Sequence, residues 1–131
     1  MKRTIILFIV LSAIIGIFVL KNSQSSVPSP LPSHTLGIPR LLDLGSKGCA
    51  ACTMLEPVLA ELRSNHAGRL QVDFIDVWEH ENVAVDYGVE IIPVQIFFNA
   101  DGTELYRHQG FISVQDVEAK FIELGINLNA E

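Results

Sequence analysis

The apolar positions of this chain fall into three regimes. From Ile5 to Leu20 they run almost unbroken, interrupted by Ser12 and Gly16 and bracketed by Lys2, Arg3 and Lys21. As a helix, Thr4 to Leu20 would span roughly 25 Å, near the short end of what crosses a bilayer. The segment has no polar face, so it fits an anchor or a signal peptide rather than a core helix. From Asn22 to Pro39 the pattern dissolves into "NSQSSVPSPLPSHTLGIP". Its serines and prolines bury too little apolar surface to order themselves, and proline keeps such chains extended. From Arg40 onward, short runs of strand period and helix period alternate.

These runs predict the elements of the folded part. "RLLDLG" (40–45), "LQVDFIDV" (70–77) and "VQIFF" (94–98) read as strands, the last two rich in Val, Ile and Phe. "ELYRHQ" (104–109) alternates, and the Asp101-Gly102 turn joins it to the preceding strand as an antiparallel hairpin. A long helix is expected from about Cys49 to His66. Leu55, Val58, Leu59 and Leu62 share its inner face, and Pro57 should kink it. A shorter helix, about Glu81 to Tyr87, ends at Gly88. The last is capped by Ser113 with Asp116 three residues on, buries Val117, Phe121 and Leu124, and stops at Gly125. The order β-α-β-α-β-β-α implies parallel pairing, with the hairpin adding one antiparallel edge.

The pattern therefore divides the chain into an N-terminal helix (1–21), a Pro/Ser-rich spacer (22–39) and one α/β domain (40–127). A cleaved signal usually ends in small residues, which Ser23-Gln24-Ser25 only faintly imitates, so an uncleaved anchor is expected, with a secreted form as the alternative. No cysteine follows the apolar run, which excludes lipoprotein processing. Lys2 and Arg3 hold the N-terminus in the cytoplasm and send the domain across the membrane. Past Lys21 the chain carries a net charge of about −9, which argues against nucleic acid or an anionic membrane surface as partner.

The two cysteines of the chain, Cys49 and Cys52, lie in "GSKGCAACTMLEP". C-x-x-C alone is compatible with a structural bridge, half of a metal site or a pair of working thiols. A static bridge here would close too short a loop to stabilise much. For zinc, His34, His66, His80 and His108 are scattered, with no paired spacing; they read as surface residues. A Cu(I)-binding module, a reading of a different class, would want methionine-rich surroundings. As working thiols the pair has a clear asymmetry. Cys49 falls at the start of the long helix, whose first-turn amides favour a thiolate. That terminus lowers a thiol pKa by only about 0.2 to 1.5 units, so a hydrogen bond from Cys52 must supply the rest. Cys49 is then the nucleophile and Cys52 the resolving thiol.

Here the sequence resembles the thioredoxin family. The residues carrying the resemblance are Asp43 six before the first cysteine, Cys49-Ala50-Ala51-Cys52, Pro57 five after the second, "YGVEIIP" ending at Pro93, and Gly110 after the hairpin. The resemblance implies a three-layer α/β fold with a mixed sheet of about four strands and flanking helices. It implies a monomeric thiol–disulfide oxidoreductase needing no cofactor and no metal. Ile92-Pro93 would be a cis peptide bond beside the cysteines, with the Ile92 backbone pairing with the client. Asp43 would be buried beneath Cys52 and accept its proton. The partners would be disulfide-containing client proteins and an integral-membrane thiol–disulfide carrier as electron donor; cytochrome c maturation is one setting typical of the family. Net reduction of clients is favoured, a dithiol oxidant or isomerase being the alternative. Gly45 and Gly48 replace aromatics common in the family, Ala50-Ala51 replaces Gly-Pro, and Phe74 stands where a lysine often partners the aspartate. Trp78, in "WEHE", reads as a packed loop aromatic, with a client-facing rim as the other reading.

Overall fold

A computed structural model describes residues 33–129. The anchor expected over 1–21 and the spacer as far as residue 32 lie outside them. Among the described residues no helix is long and apolar enough to cross a membrane. Strand β1 is Arg40–Gly45, followed by helices α1, Ala50–Thr53, and α2, Glu56–Asn65. Strand β2, Gln71–Asp76, leads to helix α3, Glu81–Asp86; strands β3, Val94–Phe98, and β4, Glu104–Gln109, precede helix α4, Val114–Glu123. The four strands form one sheet in the order β2-β1-β3-β4.

Two expectations are corrected. The single helix over 49–66 is two helices, because Pro57 occupies the first turn of α2. A proline there loses no helical hydrogen bond, whereas inside a continuous helix it would remove one. The second correction concerns pairing: β1 and β2 are parallel, but β3 is antiparallel to β1 as well as to β4. Between β2 and β3 the chain forms only the six-residue α3. Such a helix spans about 9 Å, too little to carry the chain back along strands of about 20 Å. The chain therefore enters β3 from the end at which β2 leaves.

Apolar residues cover both sheet faces, giving three layers. On one face Leu41, Val72 and Phe97 pack with Leu55 at the N-cap of α2, with Leu59 and Leu62 of that helix, and with Val117 and Phe121 of α4. On the other, Leu42, Leu44, Ile75 and Ile96 pack with Val83 of α3. Strand β1 is central and buried along its whole length. Its alternation puts Leu41, Asp43 and Gly45 on the α2 side. The α4 cap forms as the spacing predicts, the Asp116 amide donating to Ser113 Oγ at 3.2 Å. His66, expected at the surface, is buried instead, with Nε2 2.8 Å from Glu118 Oε1. Helical spacing explains this: residue 66 follows Leu59 and Leu62 on the core face. Gln71 Nε2 donates to the Ser33 carbonyl at 2.8 Å, and Leu128 is buried.

Candidate active site

The antiparallel direction of β3 brings separate stretches of sequence together. Leu44 stands opposite Val94, so Pro93 lies level with the C-terminal end of β1, where the chain turns toward the cysteines. The Ile92-Pro93 peptide bond is cis. Strand β4, antiparallel to β3, ends at the same edge, and the Gly110 amide donates to the Pro93 carbonyl at 2.9 Å. Gly110 adopts φ +96°, a conformation that favours glycine.

The loop from β1 to α1 is held by one carboxylate. Asp76, at the end of β2, is buried. Its Oδ2 accepts from the Lys47 amide at 2.9 Å and from Ser46 Oγ at 3.3 Å, and its Oδ1 accepts from the Trp78 amide at 2.9 Å. Ser46 Oγ in turn accepts from the Gly48 amide at 3.2 Å. Burial alone would raise the Asp76 pKa, but the amides of Lys47 and Trp78 and the Ser46 hydroxyl outweigh it and hold the group below its ordinary value. An ionised Asp76 thus ties the cysteine loop to the loop after β2.

Cys49 is the N-cap of α1 and is half-buried, while Cys52 is buried; both are free thiols. The Cys49 pKa lies below its ordinary value, first because Cys52 donates a hydrogen bond to its sulfur and then because the Cys52 and Ala51 amides do so. The order of these causes differs from the expectation, in which the helix terminus came first. Pro57 splits the helix, and the remaining four-residue α1 supplies little macrodipole. Cys52 is pushed up to about 11 by burial and by its hydrogen bond to Cys49. The shifts favour ionisation of the outer sulfur over the inner one.

Beneath the thiols lies Asp43, fully buried. It stands opposite Phe74 on β2 and Gln95 on β3. Phe74 offers it no charge, and the hydrogen-bonding partner comes from the other side: Gln95 Nε2 donates to Asp43 Oδ1 at 2.7 Å. Asp43 Oδ2 and Gln95 Oε1 have no hydrogen-bond partner. Burial raises the Asp43 pKa to about 6, against the lowering effects of Gln95 and of the Arg63 charge. Gln95 escapes a reading of the sequence, although one polar residue within "VQIFF" was the signal available. Beside Cys52 opens a cavity of about 250 Å³ lined by Ser46, Lys47, Leu59, Arg63 and Phe74. Among the described residues no cluster of three or more His, Cys, Asp or Glu side chains could hold a metal ion.

An outer thiol of lowered pKa, paired with a buried thiol at a strand-to-helix junction and backed by a cis-proline loop, defines a thiol–disulfide oxidoreductase. Comparison with known proteins agrees. The family model described as thioredoxin matches residues 37–123, and the chain belongs to the thioredoxin family. Thioredoxin C-2 of Corynebacterium nephridii is 34% identical over 88 residues, which span 67% of this chain and 80% of that protein. Thioredoxin of Staphylococcus aureus is 35% identical over 72 residues, covering 55% and 68%. Among solved structures, thioredoxin-2, described as a component of malaria parasite protein secretion machinery, matches with TM-score 0.61 at 26% identity, covering 66% of this chain and 82% of that one. Chloroplastic thioredoxin z matches with TM-score 0.61 at 20% identity, covering 67% and 79%, a likeness of fold alone.

Proposed function

We propose that this protein reduces disulfides of extracytoplasmic client proteins, tethered to the membrane by residues 1–21 and held off it by the Pro/Ser-rich spacer. The Cys49 thiolate attacks one sulfur of a client disulfide. A Cys49–client mixed disulfide forms and the other client sulfur leaves as a thiolate. Cys52 then gives its proton to Asp43 and attacks Cys49 Sγ. The client's second sulfur departs reduced, and the two electrons lost by the protein leave a Cys49–Cys52 disulfide. An integral-membrane thiol–disulfide carrier returns those electrons. The client strand lies along the Ile92-Pro93 segment, level with the end of β1 that leads to the cysteine loop.

One observation carries the reading: the two thiols differ in exposure and are driven in opposite directions, Cys49 down and Cys52 up to about 11. A static bridge or a two-thiolate metal site has no use for that asymmetry, because both sulfurs would do the same work. The test is trapping. Cys52→Ser should accumulate mixed disulfides through Cys49, whereas Cys49→Ser should trap almost none. Equal trapping, or trapping mainly by Cys49→Ser, would overturn the roles. Equilibration of the dithiol pair against glutathione buffers sets the direction, a strongly oxidising potential favouring the oxidant reading instead.

A further inference from the structure

Trp78 is 62% exposed, although it is the largest apolar side chain of the domain and the chain's one tryptophan. Burying an indole is worth far more than leaving it in water, so an exposed one that is firmly placed needs a reason. This one is firmly placed. A Cβ on Gly48 would lie 2.7 Å from Trp78 Cζ3, so the ring rests on the bare backbone just before Cys49. Asp76 binds the Trp78 amide and the Lys47 amide together. Lys47 Nζ also donates across the same gap to Glu79 Oε1 at 3.2 Å.

Sheet topology supplies the second observation. β1 and β2 end at the edge where β3 begins and β4 ends. Read along the order β2-β1-β3-β4, that edge carries Trp78, then Cys49, then Ile91 to Pro93, then Gly110-Phe111. Ile91 is 63% exposed and Phe111 50%. The nucleophile thus sits in a row of exposed large apolar side chains, with Trp78 on its β2 side.

We propose that Trp78 is a specificity-determining residue of this site: it replaces, from a neighbouring loop, the side chain that Gly48 lacks, and it packs on an apolar or aromatic residue flanking the client cysteine. The proposal rests on the reading of this protein as a client-reducing dithiol. Adjacent strands are about 4.8 Å apart and an extended client advances about 3.3 Å per residue. The favoured client therefore carries one apolar residue one or two positions from its cysteine on the Trp78 side, and a second about three positions away toward Phe111.

The test compares reduction of two synthetic peptide disulfides, identical except for Leu or Gly at the flanking position on the Trp78 side. The wild type should prefer the Leu peptide, with kcat/KM about tenfold higher. Trp78→Ala should abolish that preference and Trp78→Phe should retain most of it. In a Cys52→Ser background, mixed-disulfide formation with the Leu peptide should shift Trp78 emission to the blue as the indole leaves water. A preference that survives in Trp78→Ala, or an emission spectrum that does not move on trapping, overturns the proposal while leaving the dithiol function intact. A wild type that reduces neither peptide overturns both.

Discussion

Replacing Asp43 by asparagine removes one ionisable oxygen from the most protected strand and leaves the shape almost unchanged. The Asn Oδ1 can still accept from Gln95, as the Asp43 carboxyl does at 2.7 Å. What disappears is titration. The native carboxyl rises from its ordinary 3.8 to about 6, through burial acting against the Gln95 hydrogen bond and the Arg63 charge. At 1.36 kcal/mol per unit, that rise corresponds to about 3 kcal/mol; the group is fully buried, so no solvent screening reduces it. Below pH 3.8 both folded and unfolded chains hold the proton and nothing is lost. As pH climbs toward 6 the unfolded chain releases its proton while the folded one keeps it, and stability falls. Above 6 the folded chain holds a buried charge and the whole penalty is present. Asp43→Asn should therefore gain on the wild type progressively between pH 4 and pH 7 and then level off, by about 3 kcal/mol in all. Urea unfolding of both proteins under reducing conditions at pH 4.5, 5.5, 6.5 and 7.5 measures the difference, with the remaining carboxylates cancelling. Stopped-flow kinetics should show slower resolution of the mixed disulfide, with the attack by Cys49 less affected. A stability difference that is flat with pH, together with equal resolution rates, would refute both the buried titration and the proton transfer.

Two further outcomes follow from the same site and from the chain's first residues. Gln95→Leu removes the donor that holds the Asp43 pKa down, so the pH at which the stability difference levels off should move upward; an unmoved profile would show that Gln95 leaves the carboxyl's charge untouched. For the N-terminus, Edman sequencing of protein recovered from the membrane fraction should read from Met1 or Lys2. A mature form beginning near Ser26 and released without detergent would exclude the tether.

Strand positions were legible in the sequence because Val, Ile, Leu and Phe cluster in three short runs and the Asp101-Gly102 turn marks a fourth strand as a hairpin partner; all four are strands. The helix faces were legible for the same reason, Leu55, Leu59 and Leu62 being core residues at helical spacing. Strand direction was not, since a run of strand period carries no sign of its direction; it depends on how far the intervening helix can carry the chain, and the six residues of α3 are too few. Of the candidate site, Cys49, Cys52, Pro93 and Asp43 stand out because their chemistry or backbone geometry is unusual. Gln95 and Asp76 do not. A polar residue in a strand reads as its solvent face, and only the register that sets Gln95 opposite Asp43 reveals otherwise. The indole against Gly48 was equally hidden, because the two residues are 30 positions apart and nothing local couples them.

The bare backbone at Gly45 bears on how this sequence can diverge. A methyl group there would lie 3.1 Å from Cys52 Cβ, 3.2 Å from its Sγ and 3.2 Å from Phe74 Cε2, tighter than close-packed interiors tolerate without adjustment. A side chain at position 45 thus meets Cys52 itself, and it enters only if Cys52 and Phe74 each give by a few tenths of an ångström. Shrinking residue 74 removes one of these three contacts and leaves the two with Cys52 in place. Positions 45, 52 and 74 are therefore coupled, since what one can hold depends on the other two. With Cys52 and Phe74 both in place, glycine at 45 lets the buried thiol pack directly against the end of the central strand.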